Sequence, residues 1–307
     1  MSSIGIGLYG TGIAADNHAY AIAKSRKFSL VSVADDKHTL AQSFSKRHHI
    51  DRCHGDLEYL LEDSSVDIVL LTSPFPFNSK IFPFVAETGR SVIIETPLAP
   101  SVKEAERIIE KAEEEGIFLF PVSQMVSDPL VSRLSSLIKE GRLGEIKEYS
   151  LSWSFPSPVK RWMSIWGEEG GIKEKSLFLF SASPAFDLIY YLFEEERVTA
   201  FREKEDSVEV VFERGSLSVS DGYDGFSFHI KSDKFDLIGR NGKLISSIGE
   251  ERIDGFDKET IKTPFSPLTF WYDSVYSALE SGVWPREKYM ATLKGLELIN
   301  QTEKFLV

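Results

Sequence analysis

The chain has little cysteine, little positive charge and no long apolar run. Cys53 is the one cysteine in 307 residues, so no disulfide can form within the chain and a reducing compartment is expected. Lysine and arginine number 35 against 47 aspartates and glutamates, a formal net charge of −12. This balance argues against partners such as nucleic acid or an anionic membrane surface. No apolar stretch approaches the roughly 20 residues of a membrane helix.

The remaining composition is that of an ordinary globular protein, 42% hydrophobic and 27% charged. A length of 307 residues favours about two domains. The first residues contain no basic region followed by an apolar stretch, so we expect no signal peptide and predict a cytoplasmic protein.

A glycine-rich turn near the start is the strongest signal in the sequence. The apolar run Ile4 to Leu8 predicts a buried strand, and it leads directly into Gly10-Thr11-Gly12-Ile13-Ala14-Ala15 and a helical pattern. In a dinucleotide-binding turn the first glycine permits the tight bend and the second lets the backbone approach a pyrophosphate. The small Ala15 lets the helix pack closely on the strand. We therefore expect the N–H groups at the start of this helix to face phosphates.

An acidic residue stands where such a turn needs one. Asp35 follows Ala15 by 20 residues, at the end of a second predicted strand, Leu30 to Ala34. A carboxylate there accepts hydrogen bonds from the adenosine ribose and disfavours a 2′-phosphate. Asp36 adds negative charge, while the basic residues that follow soften the preference. The sequence predicts NAD as the cofactor, with NADP less favoured; the alternative is a glycine-rich turn without a ligand.

The first part of the chain alternates between helices and strands. This alternation predicts a doubly wound parallel sheet, a Rossmann domain over residues 1–122. The predicted helices are Ala15–Ser25, Lys37–His49, Asp56–Glu62, Lys80–Thr88 and Ser101–Glu115, and the further strands are Val66–Thr72, Ser91–Glu95 and Ile117–Val122.

From residue 123 to residue 307 the pattern predicts a second domain of the α+β class. Its strands should form a mostly antiparallel sheet, and its last helices could pack back on the first domain. Because few helices remain to cover both faces of that sheet, a homo-oligomer is predicted. The predicted strands are Ile146–Phe155, Val198–Phe212, Gly215–Ser220, Phe226–Ser232 and Phe235–Ile238, and the helices are Pro129–Gly141, Ser183–Leu192, Leu268–Ser281 and Arg286–Phe305.

A cluster of histidines between the second helix and the next strand needs a separate interpretation. Arg47 to His54 contains three histidines and Cys53, but the spacing fits no standard zinc pattern. We interpret the segment as a solvated loop and predict no metal site.

The motifs together resemble the glucose–fructose oxidoreductase and inositol dehydrogenase (Gfo/Idh/MocA) family. The similarity rests on Gly10-x-Gly12-x-x-Ala15-x-x-His18, Val66-Asp-Ile-Val, Ser73-Pro74, Glu95-x-Pro97-Leu98-Ala99 and Leu137-Ile-x-x-Gly-x-Leu-Gly-Glu-Ile146. The resemblance implies a Rossmann domain, a second α/β domain whose sheet makes oligomer contacts, and NAD(P)-dependent oxidation of a sugar or polyol.

The chain departs from the family at its working residues. Thr96 stands where the family's Glu-Lys-Pro motif has its lysine, and the Pro-Asn-x-x-His segment has Phe75 and Asn78 instead. No histidine lies between His54 and His229, and no aspartate between Asp128 and Asp187, so the family's Asp-x-x-x-His pair is absent. Threonine cannot act as a base at neutral pH. An altered active site is therefore expected.

The candidate site residues follow from strand ends and from the resemblance. The expected cofactor contacts are Gly10, Thr11, Gly12, Ile13, Ala14, Asp35, Ser73, Pro74, Asn78, Glu95 and Thr96. The proton acceptor is unknown; Thr96, Lys160, Lys173 and Lys175 are candidates, although such lysines are usually solvated. Gln124, Trp162 and Trp166 are candidate substrate contacts, the tryptophans by stacking on a sugar ring, or else by covering a sheet edge. His18 is expected to support the phosphate turn.

Two hypotheses for the function remain open. One is a working oxidoreductase of the sugar and polyol dehydrogenase type with unusual acid–base groups. The other is a non-catalytic NAD-binding sensor or regulatory protein, which the missing lysine, aspartate and histidine would favour.

Overall fold

The structure, a computed structural model, describes residues 3–73, 75–155, 174–194, 196–205, 207–222, 225–241, 243–249, 267–283 and 286–306. It divides into two units. The first unit comprises Met1–Val122 with Leu268–Tyr289, and the second comprises Ser123–Pro267 with Met290–Val307.

The first unit is built on a six-stranded sheet whose strands are all parallel. Its order is β3-β2-β1-β4-β5-β6, the Rossmann order, with the direction of winding reversing between β1 and β4. Open α/β sheets bind ligands at that reversal, beyond the carboxyl ends of the strands. The strands are β1 (Ile4–Tyr9), β2 (Phe28–Ala34), β3 (Arg52–His54), β4 (Ile68–Leu71), β5 (Ser91–Ile94) and β6 (Leu119–Pro121).

Helices connect these strands, and local sequence determines where several of them begin. The side chains of Asp56 and Ser101 accept hydrogen bonds from backbone N–H groups in the first turns of α3 and α5. The helices are α1 (Ile13–Lys24), α2 (His38–His48), α3 (Leu57–Glu62), α4 (Phe75–Ala86) and α5 (Val102–Glu114).

A helix from the end of the chain completes the core of the first unit. This helix, Pro267–Ser281, is numbered α9 below. Its Trp271 and Tyr272 are buried in one cluster with Ile6, Leu8 and residues of α1. The Trp271 indole N–H donates to the carbonyl of Pro121 at 3.2 Å. Residues of α9, far from the Rossmann segment in sequence, therefore complete the hydrophobic core of the first unit.

Two local predictions in this unit were wrong. The segment interpreted as a solvated loop contains β3, which pairs in parallel with β2. Helix α4 begins at Phe75 rather than Lys80. Pro76 is tolerated because it lies in the first turn, where its missing N–H would have no intrahelical partner. Pro83 lies inside the same helix, and the burial of Phe75, Phe82 and Val85 stabilises the helix despite the hydrogen bond lost there.

The second unit contains a seven-stranded sheet of order β13-β12-β11-β7-β10-β9-β8. Strands β7 and β10 are parallel and the other pairs are antiparallel, so the predicted mostly antiparallel sheet is confirmed. The strands are β7 (Ile146–Phe155), β8 (Val198–Glu203), β9 (Ser207–Phe212), β10 (Gly215–Asp221), β11 (Gly225–Ser232), β12 (Phe235–Arg240) and β13 (Lys243–Gly249).

The run Val198–Phe212 is a hairpin of two strands rather than one strand. The N–H of Lys204 donates to the carbonyl of Ser207 at 2.9 Å and closes the turn between β8 and β9.

The helices after β6 are a short 3₁₀ helix (Gln124–Ser127), α6 (Pro129–Lys139), α7 (Glu174–Ser181), α8 (Ser183–Phe193), α9 and α10 (Arg286–Glu303).

The two faces of the second sheet differ in chemistry. Tyr149 of β7 stacks on Phe193 of α8 with ring centroids 4.0 Å apart, so one face packs on helices. The opposite face carries serines from neighbouring strands, with Ser152 paired to Ser218 and to Ser227. These serines are partly exposed.

Over the described residues, no helix is both long enough and apolar enough to cross a membrane.

Candidate nucleotide-binding site

The turn between β1 and α1 requires glycine at Gly10 for reasons internal to the protein. Gly10 has a φ of +94°, a conformation that other residues rarely adopt. A Cβ at this position would lie 2.6 Å from Ser73 Oγ and 2.8 Å from Ser73 N. The N–H of Thr72 also donates to the carbonyl of Tyr9 at 3.0 Å. The ends of β1 and β4 are thus in close contact at the reversal point.

At Gly12, by contrast, no contact with a described residue requires glycine. It precedes α1 with a φ of −76°, which any residue can adopt, and a Cβ built there would meet no heavy atom of the described residues within 4 Å. Over this part of the chain the space beside Gly12 is therefore open. A backbone without a side chain facing open space fits close approach of a pyrophosphate.

The start of α1 presents unsatisfied donors to the same space. No side chain caps the helix at Gly12, and the N–H groups of Ile13 and Ala14 lie in its first turn, which lacks intrahelical partners. Such a helix end attracts anions through its N–H groups and its dipole. Ala15 is fully buried, as close packing of the helix on the strand requires. The residues present fit a nucleotide diphosphate group.

Asp35 holds the turn in place. Its Oδ2 accepts hydrogen bonds from Thr11 N at 2.9 Å and from Thr11 Oγ1 at 2.7 Å, and its Oδ1 accepts from Lys37 N at 3.0 Å. The N–H of Thr11, which we expected to face phosphates, thus donates to Asp35. A carboxylate has about four acceptor positions, so Asp35 retains capacity for a ribose hydroxyl.

A second carboxylate lies beside Asp35. The Tyr9 hydroxyl donates to Asp36 Oδ1 at 2.5 Å. Burial, the hydrogen bond to Asp36 and nearby negative charge raise the pKa of Tyr9 well above its ordinary value, so the phenol remains a donor. The end of β2 therefore presents two carboxylates, both of which are anchored to β1 or to the turn after it.

The other predicted contacts lie at the ends of β4 and β5. Ser73 lies against Gly10, and Thr96 Oγ1 donates to the carbonyl of Val122 at 3.4 Å. Asn78, expected in a loop, lies inside α4, where it is fully buried. Its Nδ2 donates to the carbonyl of Leu71 at 3.4 Å, while its Oδ1 has no partner among the described residues.

Glu95 is part of a buried hydrogen-bonded chain. Its Oε1 lies 2.8 Å from Nε2 of His18, and Nδ1 of His18 lies 2.7 Å from the hydroxyl of Tyr272. The His18 side chain is 1% exposed, whereas that of Glu95 is 25% exposed. His18, expected to support the phosphate turn, joins α1 to the end of β5 and to α9.

The remaining predicted residues lie elsewhere. Gln124 begins the 3₁₀ helix of the second unit and is partly buried. Lys175 lies in α7. The predicted residues outside the described part of the chain are Pro74, Lys160, Trp162, Trp166 and Lys173.

Sequence reasoning missed Tyr272 entirely. It lies 254 residues from His18, and nothing in the local pattern of α9 singles it out. The one available signal was His18 itself, a histidine on the buried face of the first helix that requires a polar partner.

The Rossmann order, the glycine turn and the carboxylates after β2 define a dinucleotide-binding domain. Residues 4–122 match an oxidoreductase family described as having an NAD-binding Rossmann fold, GFO_IDH_MocA. This match confirms, for the Rossmann domain, the resemblance to the Gfo/Idh/MocA family that the sequence shows.

The alignments with curated relatives cover only part of each relative's length. The chain is 26% identical over 135 residues to trans-1,2-dihydrobenzene-1,2-diol dehydrogenase of Danio rerio, which is 43% of this chain and 40% of that protein. It is 24% identical over 216 residues to myo-inositol 2-dehydrogenase of Thermotoga maritima, 70% of this chain and 59% of that protein. The matched segments thus span about half of these relatives.

Solved structures share the fold over nearly the whole chain. The WlbA dehydrogenase from Bordetella pertussis, in complex with NADH and UDP-GlcNAcA, has a TM-score of 0.79 at 21% identity, covering 99% of this chain and 95% of that one. KijD10, a 3-ketoreductase from Actinomadura kijaniata in complex with NADP, has a TM-score of 0.80 at 16% identity, covering 98% and 97%. At these identities the likeness shows the fold alone.

Proposed function

We propose that this protein is an NAD-dependent oxidoreductase that acts on a hydroxyl-bearing carbon of a sugar, polyol or cyclic diol. The observation that carries the proposal is the open space at Gly12 beside the uncapped start of α1. None of the residues that the structure describes requires glycine there, whereas a bound pyrophosphate would. The substrate class is supported by the diol and inositol dehydrogenases among the relatives.

The residues that would hold the cofactor lie along one edge of the sheet. Gly12, Ile13 and Ala14 would bind the pyrophosphate, and Asp35 the adenosine ribose. Ser73, Glu95 and Thr96 follow β4 and β5, on the opposite side of β1 from Asp35, and would face the nicotinamide half. The nicotinamide ring would accept or supply the hydride.

We expect NAD to bind more tightly than NADP. A 2′-phosphate would lie close to the carboxylates of Asp35 and Asp36, and both repel it. Lys37, whose backbone N–H is bonded to Asp35, could reduce this repulsion with its side chain. The preference rests on two fixed negative charges against one mobile positive charge.

The catalytic centre of this proposal is altered. Thr96 replaces the lysine that the family resemblance implies, and threonine cannot accept a proton at neutral pH. The lysines predicted as substitutes, at positions 160, 173 and 175, remain predictions. The cytoplasmic location also remains a prediction.

Calorimetry with NAD⁺ and NADP⁺, followed by a substrate panel, tests the proposal. The panel contains myo-inositol, trans-1,2-dihydrobenzene-1,2-diol and simple sugars, and NADH formation is followed by absorbance. Tighter NAD⁺ binding with turnover of one or more compounds is the expected result. Binding without turnover on any of them would instead favour the non-catalytic sensor, and failure to bind either nucleotide would contradict both.

A further inference from the structure

At the carboxyl edge of the first sheet, Glu95 is the ionisable group best placed for proton transfer. The loop after β1 contributes glycines and Thr11, and the loop after β4 contributes Thr72 and Ser73. None of these side chains can take up a proton at neutral pH. The carboxylate of Asp35 lies after β2, on the other side of β1, and accepts hydrogen bonds from Thr11 of the glycine turn.

The hydrogen-bonded chain behind Glu95 has a definite direction. Among the described residues, His18 is the only hydrogen-bond partner of the Tyr272 hydroxyl. Burial and the charge of Glu95 raise the pKa of Tyr272 well above its ordinary value, so Tyr272 keeps its proton. We therefore assign the Tyr272 O–H as the donor to Nδ1 of His18, which places the ring proton on Nε2, opposite the carboxylate. That N–H donates to Oε1 of Glu95.

This arrangement leaves the other oxygen of Glu95 available. Among the described residues Oε2 has no hydrogen-bond partner, and the side chain is 25% exposed. Because Oε1 already faces an N–H donor, a proton that arrives at Glu95 must reside on Oε2. The hydrogen bond from His18 is kept when that happens, since the Oε1 atom of the acid still accepts it. The carboxylate can thus gain and lose a proton without moving.

We propose that Glu95, positioned by His18 and Tyr272, accepts the hydroxyl proton of the substrate. The inference rests on the proposed function. As the C–H electron pair leaves as hydride to an oxidised nicotinamide nucleotide, the O–H bond breaks, its proton bonds to Oε2 of Glu95, and the carbon–oxygen double bond forms. In the reverse direction the acid returns the proton. Glu95 is the catalytic residue, and His18 and Tyr272 are positioning residues.

A kinetic comparison in the full-length protein tests the role of Glu95. Glu95→Gln keeps the shape and an oxygen for the His18 N–H but cannot take up a proton. We expect turnover of the active panel compounds to fall by about 10²-fold or more, the usual contribution of a general base. Its NADH dissociation constant, measured by fluorescence, should stay within about threefold of wild type. Glu104→Gln, an exposed carboxylate on α5, is the matched control and should change neither.

The possible kinetic outcomes separate this inference from the proposed function. An active wild type with Glu95→Gln within about fivefold of it overturns the acceptor role and leaves the oxidoreductase standing. A wild type that binds NADH but oxidises no panel compound overturns the proposed function, and the acceptor role with it.

A spectroscopic experiment tests the positioning without any substrate. Nitrogen NMR of protein labelled in the histidine rings reports the protonation of each ring nitrogen, and loss of a signal in His18→Gln assigns His18. We expect a neutral ring with its proton on Nε2, with and without NADH, and a loss of that single tautomer in Tyr272→Phe. A cationic His18 at neutral pH, or a proton on Nδ1 alone, overturns the proposal. In the first case Glu95 is locked in an ion pair, and in the second it is already protonated.

Discussion

The two glycines of the turn should respond differently to the same substitution. Gly10→Ala places a Cβ 2.6 Å from Ser73 Oγ on a residue with φ of +94°. The backbone strain costs about 1–2 kcal/mol and the overpacking about 1–3 kcal/mol, so we expect a loss of about 2–5 kcal/mol. The melting temperature should then fall on the order of 10 °C.

Gly12→Ala should leave stability nearly unchanged. Its φ of −76° suits alanine, and no atom of the described segments lies within 4 Å of the new Cβ. The gain of about 0.4–1 kcal/mol from a stiffer unfolded chain is partly offset because alanine is a poorer residue before a helix. The Cβ would instead occupy the space assigned to the pyrophosphate. We expect NADH binding to weaken by about 10- to 100-fold, or ~1.4–2.7 kcal/mol, and Gly12→Val to abolish it.

Thermal melts and NADH fluorescence titrations on both variants separate folding from binding. Saturating NADH should raise the melting temperature of the wild type but not that of Gly12→Val. The reasoning is refuted if Gly12→Ala binds NADH as tightly as the wild type, because the nucleotide then does not approach this backbone. The claim that the turn requires glycine at position 10 is refuted if Gly10→Ala melts at the wild-type temperature.

Three further predictions concern other parts of the chain. Full burial raises the pKa of Asp187 from its ordinary 3.8 to about 8. The folded state thus binds more protons than the unfolded state between these values, and stability should fall as the pH rises from about 4 to about 8. Asp187→Asn, which keeps an acceptor for Ser123 Oγ, should lose most of this dependence in melts at pH 5 to 8, and equal slopes would contradict the assignment. Asp35→Ser should weaken NAD⁺ binding in calorimetry by removing a ribose acceptor and two bonds to Thr11. It should also narrow the preference over NADP⁺; an unchanged NAD⁺/NADP⁺ ratio would count against the role of Asp35. The serine-rich face of the second sheet should mediate self-association, so light scattering should show an oligomer for the wild type and a smaller species for Ser152→Glu; a wild-type monomer at micromolar concentration would refute this.

The sequence by itself determined the elements whose signals are local. The Ile4–Ala15 segment contains its strand, its turn glycines and its small helix residue within a few positions, and Asp35 follows at the spacing of a Rossmann fold. Backbone sterics and close packing of neighbours decide such features, so the parallel sheet and the nucleotide turn were predictable. The same local reasoning failed where local and tertiary preferences disagree. Helix α4 begins at Phe75, five residues before the predicted start at Lys80, and the burial of Phe75 and Phe82 stabilises it.

Only the tertiary structure decided which distant polar groups meet. The sequence identified Glu95 and His18 separately, but their contact, 2.8 Å between Oε1 and Nε2, joins residues 77 positions apart. Tyr272 reaches His18 from 254 residues away, on a helix that packs into the Rossmann core. The role of Gly12 was also decided by the tertiary structure, because no described residue fills the position where its side chain would lie. Periodicity and turn chemistry are properties of neighbouring residues, whereas a buried hydrogen-bonded chain depends on the packing of the whole unit.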